Sequence, residues 1–212
     1  MVLNKGFCTL LINLFIVGVA SLCFAGVTEG MVEVNGYVGG LIGIGDAQWK
    51  GYPRYVGGLR HNVSLDPTTG TTAGLRLGYD ITPHIGGELG WGLSNNDINK
   101  VSKIDRQKVH VAEIHDYEAS LYGNLMIHFM PEERLVPFLT GGIGMIYLHS
   151  EDSDSQTRFA WNAGAGIKIF LSKRFAFRAD IRNFNFKPKN TRDCLNFLEV
   201  SGGLTWYFDG EW

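Results

Sequence analysis

The chain has 212 residues, enough for one domain of ordinary size, with 28 glycines, 12% aromatics and only 6 prolines. That mixture suits many short strands with tight turns and argues against both disorder and a coiled coil. Net charge is −2 and Lys and Arg form no run or stripe, so nothing points to nucleic acid, and nothing in the composition asks for a cofactor.

The first 25 residues stand apart. Lys5 is their only charge, and the run from Gly6 is interrupted only by Thr9, Asn13 and Ser21. Cys23 and Ala25 place small side chains three residues and one residue before Gly26, the pattern a signal peptidase reads, so residues 1–25 are expected to be a signal peptide cleaved after Ala25. An uncleaved anchor is the competing reading, because the apolar run is nearly long enough to span. A lipoprotein cut before Cys23 would need a small residue where Leu22 stands. Cleavage removes Lys5 with Cys8 and Cys23, which takes the net charge from −2 to −3. It leaves residues 26–212 as the mature domain and Cys194 as a lone thiol, open to pairing between molecules but to no internal disulfide.

After Ala25 no stretch of 18 apolar residues remains, so no helical span is expected. Period-two alternation recurs instead, which is the strand signal. The first run sets out Val32, Val34, Val38, Ile42 and Ile44. The second puts Ala73, Leu75, Leu77, Tyr79 and Ile81 against Gly74, Arg76, Gly78 and Asp80. In the third, Ile85, Leu89, Trp91 and Leu93 oppose Gly86, Glu88, Gly90 and Gly92. The fourth runs from Tyr117 through Leu121, Leu125, Ile127 and Phe129, against Glu118, Ser120, Asn124 and His128. The fifth sets Leu139, Ile143, Met145 and Tyr147 against Thr140, Gly142 and Gly144. The sixth sets Trp161, Ala163, Ala165, Ile167, Ile169 and Leu171 against Asn162, Gly164, Gly166 and Lys168. The seventh opposes Phe175, Phe177, Ala179 and Ile181 to Arg178, Asp180 and Arg182. The last alternates Leu198, Val200, Gly202, Leu204, Trp206 and Phe208 with Glu199, Ser201, Gly203, Thr205 and Tyr207. Eight strands, an even number, bring both ends to one side of a closed barrel.

Connection lengths alternate as well. Thr82-Pro83-His84, the MPEERL link and Ser172-Lys173-Arg174 are short, whereas 45–72, 94–114, 149–158 and 184–196 read as long loops. Short turns at one rim and long loops at the other describe an outer-membrane barrel with the turns in the periplasm.

A soluble ligand-binding barrel would alternate too. Two features separate the readings. The polar face mixes Arg76, Glu88, Glu118, Lys168, Arg178, Asp180, Arg182 and Glu199 with many glycines. Water-exposed strands avoid glycine, whereas the interior of an eight-stranded barrel has room for long charged side chains only if their neighbours are small. The apolar face, in turn, sorts its aromatics by height. Tyr79, Phe129, Phe175, Trp206 and Phe208 lie near the short turns, Trp91, Tyr117, Tyr147 and Trp161 lie toward the loops, and an aliphatic band separates them. Two aromatic belts are what two lipid interfaces select.

The segments LRLGYDITPHIGGELGWG, SLYGNLMIHFMPEERLVPFLTGGIGMIYL, FAWNAGAGIKIFLSKRFAFRADIRNF and LEVSGGLTWYF together resemble the OmpA-like eight-stranded outer-membrane barrels of Gram-negative bacteria. The most specific part is the pattern over Val136–Gly144, with the terminal strand. The resemblance covers the mature chain except its long loops. It implies an all-β, antiparallel, up-and-down transmembrane barrel in the outer membrane, with lipid, lipopolysaccharide and the barrel-insertion machinery as partners. OmpA adds a soluble peptidoglycan-binding domain after its barrel, and the resemblance, which is to the barrel, does not carry that function over.

Three candidate sites follow. The interior charges are expected to form a salt-bridged plug, since an isolated buried ion costs several kcal/mol, with Arg182 beside Glu199 and Arg76 beside Glu88. A gated ion path through the same charges is the alternative. The first long loop alternates Trp49, Tyr52 and Tyr55 with Lys50, Arg54, Arg60 and His61, a set suited to a surface glycan, a protein ligand or lipopolysaccharide phosphates. His149-Ser150-Glu151 and His115-Asp116 offer catalytic residue types, but neighbours on an extended chain point apart, and the six histidines show no metal-ligand spacing. The reading is therefore non-enzymatic: an envelope-integrity or surface-recognition barrel, with a narrow channel and a lipid-modifying barrel enzyme as alternatives. Trp212 shares the parity of Phe208, so DGEW is either the end of an extended strand or a tail, and the tail is the expectation.

Overall fold

The computed structural model describes residues 26–208 apart from 45–46, 49–53, 57–58, 68, 105–106, 151–152 and 188–192; within strands it describes the backbone alone over 47–48, 54–56, 59–67, 96–104, 107–117, 149–150 and 153–156. Eight long strands carry the architecture: β1 (Val32–Ile44), β2 (Thr69–Asp80), β3 (Ile85–Ile104), β4 (Gln107–His128), β5 (Leu135–Ser150), β6 (Ser153–Phe170), β7 (Phe175–Phe186) and β8 (Leu195–Phe208). Each pairs antiparallel with the next, and β1 closes the circle by pairing with β8 as well as with β2, so that Val38 lies between Ala73 and Gly202. No edge is left in the barrel wall, which lets a sheet stand in a medium that cannot satisfy backbone groups. No helix among the described residues is long and apolar enough to cross a membrane.

Alternation sets which way each side chain points. Along β7 the odd positions Phe175, Phe177 and Ile181 are exposed, while Ala176, Arg178, Asp180, Arg182, Phe184 and Phe186 are buried. The outer wall is correspondingly apolar: Leu75, Leu89, Ile143 and Leu204 are 54%, 53%, 61% and 61% exposed. Aliphatic side chains presented around a whole wall are explained by a lipid solvent and not by water.

The turns at one rim are tight. Thr82 and Ile85 exchange backbone hydrogen bonds of 3.0 and 3.2 Å, and the Ser172 hydroxyl accepts from the amides of Arg174 and Phe175. At the same rim residues 26–31 fold across the barrel mouth. The Val27 amide donates to Pro131 O, the Gly30 amide to Asp80 O and the Asp80 amide to Met31 O, with Gly30 at φ +78° to make the bend.

The opposite rim corrects the expected loops. β3 and β4 run on as one hairpin to Ile104 and from Gln107, where 94–114 was expected to be irregular, and β5 and β6 extend to Ser150 and from Ser153. Three short strands, Ala47–Gln48, Arg54–Val56 and Leu59–Pro67, occupy much of the first connection, and Leu59–Pro67 pairs with β3 over Pro67↔Ile98 to His61↔Ile104. The strands outlast the apolar alternation because the ladder is held by backbone pairing, which needs no apolar face. The fourth connection is shorter than expected as well, since β7 continues to Phe186 and β8 begins at Leu195.

Candidate functional site

The lumen is filled in three layers, most plainly along β7. Ala176 lies at the turn end, Arg178, Asp180 and Arg182 in the middle, and Phe184 and Phe186 toward the loops. At the turn end Ala176 joins Val27, Met31, Val136, Phe170 and Tyr207 in an apolar cluster. At the loop end Leu41, Tyr122, Ile146, Phe184, Phe186 and Phe197 make another, with Phe186 and Phe197 stacked at 5.8 Å. Ion pairs occupy the space between.

Arg178, fully buried, is the hub. It donates to both oxygens of Asp180 (3.0 and 3.1 Å), to Glu33 Oε1 (3.1 Å) and to Glu88 Oε2 (2.7 Å), with its guanidinium 4.6 Å over the Phe138 ring. Arg182 bridges Glu88 (2.8 Å) and Asp180 (2.9 Å). Arg76 bridges Asp180 (3.0 Å) and Glu199 (2.7 Å), donates to Ser201 (3.0 Å) and lies 3.7 Å over the Tyr37 ring. Lys168 donates to Glu33 (2.6 Å). Asn35, Asn124 and Asn162 extend the network to Thr205 and Glu88. Each guanidinium is met by more than one acceptor, the condition under which buried charges are tolerated.

Of the eight interior residues expected from the sequence, seven meet in this network. Glu118 is buried at the loop end, where it and Glu199 line a cavity of about 20 Å³, room for a single water. The expected partners are exchanged. Arg182 stands opposite Glu199 in register yet turns to Glu88, and Arg76 passes over Glu88 to reach Glu199 and Asp180. In so narrow a barrel a guanidinium spans the lumen, so register neighbours are not privileged partners. Glu33 is the important member that reading the apolar set of the first run passed over; it has the inward parity of Asn35 and Tyr37.

Small residues make room for the large ones. A Cβ on Gly90 would overlap the Tyr122 ring, and one on Gly78 would meet the Glu33 carboxylate. On the outer face Phe175, Trp206 and Phe208 form a stacked ladder near the turns (5.9 and 4.7 Å), and Tyr79 and Phe129 are exposed at the same end. Trp91, Tyr147 and Trp161 are exposed farther up, while the Tyr117 side chain lies outside the described residues. So do residues 1–25, Trp49, Tyr52, the side chains of Arg54 and Tyr55, those of His115, Asp116, His149 and Ser150, Glu151, and the DGEW segment. Cys194 is exposed where the chain enters β8. No group of three metal-ligating side chains occurs among the described residues.

Residues 15–208 match the family model described as outer membrane protein beta-barrel domain. No curated protein matches the sequence. Among solved structures the fold is similar to the outer membrane protein OprG of Pseudomonas aeruginosa (TM-score 0.57, 15% identity, 86% of this chain and 98% of that one). It is similar also to Neisserial surface protein A (TM-score 0.55, 13% identity, 85% and 100%) and to the N-terminal barrel domain of OprF from P. aeruginosa (TM-score 0.51, 17% identity, 85% and 98%).

Proposed function

The chain belongs to the outer membrane protein beta-barrel family, and from that premise we propose that it is a closed, non-conducting, non-enzymatic barrel of the bacterial outer membrane, acting through its surfaces. Its roles would be envelope integrity through the lipid-facing wall and recognition through the extended hairpins at the loop rim. The observation that carries this reading is the filled lumen. An ionic layer with eight paired charged side chains lies between two apolar clusters, with a cavity of about 20 Å³ above it. A continuous water path is needed for an open pore, and the layered filling opposes one.

Planar-bilayer recording tests it. The purified barrel and its Arg182→Ala variant are both expected to be silent, and resolved conductance steps would replace this reading with the narrow channel. The recognition half is tested separately, on cells carrying Trp49, Tyr52, Arg54 and Tyr55 all as Ala. Reduced binding to surface glycans, proteins or lipopolysaccharide is expected, and unchanged binding would remove the first loop as the recognition element.

A further inference from the structure

The turn rim carries its charges unevenly. The β2–β3 turn has no Lys, Arg, Asp or Glu, and the β4–β5 turn sets Arg134 beside Glu132 and Glu133. The β6–β7 turn holds Lys173 and Arg174 with no acid in it. Both side chains are exposed, and neither has a carboxylate partner among the described residues. Their turn is fixed: the Leu171 and Ser172 amides donate to Phe175 O, and the Tyr207 amide donates to Arg174 O, which ties it to the end of β8. Arg134 stands against the same sector, since its Nε donates to Phe170 O (2.9 Å) and its carbonyl accepts from the Phe170 amide. Beside this turn the outer wall is aromatic. Phe175 stacks on Trp206 and Trp206 on Phe208 (5.9 and 4.7 Å), all three exposed, with Leu171, Phe177 and Leu204 exposed next to them. The Trp206 indole N–H meets no acceptor among the described residues.

We propose that this sector is a docking site for an anionic glycerophospholipid of the leaflet that the turn rim meets. Lys173 and Arg174 take the phosphate and the negative headgroup, Trp206 donates to the glycerol ester region, and the acyl chains lie along Phe175, Phe177 and Leu204. The occupant follows from the two halves of the surface. Neutral lipid would suit the aromatic wall and leave the cations without partners, and a free anion would suit the cations and leave the wall bare. An anionic lipid satisfies both at once. A guanidinium offers a phosphate two parallel donors and an ammonium offers a compact charge, so the pair serves one headgroup. Glu132 and Glu133 flank Arg134 and offset it, which leaves the β6–β7 turn to carry the contact. The inference rests on the lipid-facing wall proposed above, and its test separates the two.

Fluorescence quenching in vesicles tests the site. The full chain is reconstituted in phosphatidylcholine containing an equal share of either brominated phosphatidylglycerol or brominated phosphatidylcholine. The signal of Trp206 is taken as the difference between the wild type and Trp206→Phe. Brominated phosphatidylglycerol is expected to bind beside Trp206 several-fold more strongly than brominated phosphatidylcholine, up to about fivefold for each cation engaged. The preference should fall as salt is added. The double variant Lys173→Gln/Arg174→Gln, altered only at exposed side chains, should show no preference, and Arg174→Lys should keep most of it. Equal quenching of the wild type by the two lipids, or a preference that persists in the double variant, would overturn the proposal while leaving the lipid-facing wall intact. Quenching by neither lipid would refute the wall itself, and the docking site with it.

Discussion

Arg178→Met tests the ionic layer at its hub. The substitution keeps an unbranched stem and removes the guanidinium, with its donors to Glu33, Glu88 and Asp180, none more than 5% exposed, and its contact over the Phe138 ring. Breaking a buried ion pair costs about 3–5 kcal/mol when the partner is left behind. Here each stranded carboxylate keeps another cation: Glu33 keeps Lys168, Glu88 keeps Arg182, and Asp180 keeps Arg76 and Arg182. The loss should therefore fall at the lower end, about 3 kcal/mol, or roughly a hundredfold in the folding constant. Equilibrium urea unfolding in lipid vesicles would report it, followed by the gel mobility difference between boiled and unboiled samples. A second substitution, Asp180→Asn, removes one stranded charge, so the double variant should lose less than the two single losses added. A loss below about 1 kcal/mol for Arg178→Met, with strict additivity, would mean that water screens these pairs. The closed lumen would then be refuted along with the argument for a silent barrel.

The other predictions address the wall and the packing around the ions. Leu204→Arg places a charge on the lipid face of β8, where Leu204 is 61% exposed, and should cost about 2–4 kcal/mol in vesicle unfolding if the site is near the midplane; no loss would argue that this face meets water. Gly90→Ala should lower the unfolding midpoint because its Cβ meets the Tyr122 ring, whereas Gly87→Ala, with open space around the added atom, should not move it; equal effects would contradict the inward and outward assignment. Phe197→Ala removes one partner of the Phe186 stack and should cost about 3–5 kcal/mol by the same assay.

What was legible in the sequence follows from what alternation encodes. Period two gives the face on which a residue sits, and this is enough to place Arg76, Lys168, Arg178, Asp180, Arg182 and Glu199 inside and Leu75, Leu89 and Leu204 outside. It does not give the distance across the lumen, and so the pairs were read along the register when the side chains reach over it. It also says nothing of strands where the sequence does not alternate. The β3–β4 hairpin beyond Ser94 therefore read as a loop, although its backbone pairs continuously to Ile104↔Gln107 apart from one irregularity at Lys100/Val101. Phe184, Phe186 and Leu195 lie within 184–196, where the alternation gives way, and the loop-end apolar layer lies there with them. Continuing the parity of Arg178, Asp180 and Arg182 for two further steps reaches both phenylalanines.

The order of those layers bears on whether the charges could serve as a path. A conducting route through ion pairs needs them to exchange partners with water or with a passing ion. Arg76, Arg178 and Arg182 already share Asp180, and Arg178 and Arg182 share Glu88, so an exchange within the layer leaves few groups unpaired. Such a layer standing between two water-filled vestibules would be a plausible gate. Here Phe184, Phe186 and Phe197 close one side, and Val27, Met31, Phe170 and Tyr207 close the other, with Met31 and Val27 on the segment that crosses the mouth. An ion would have to pass both apolar clusters while dehydrated, before any pair could compensate it, at a cost of several kcal/mol for each crossing. On the proposed reading the apolar layers keep water from the ions, and pairs in so low a dielectric would brace opposite walls of the barrel.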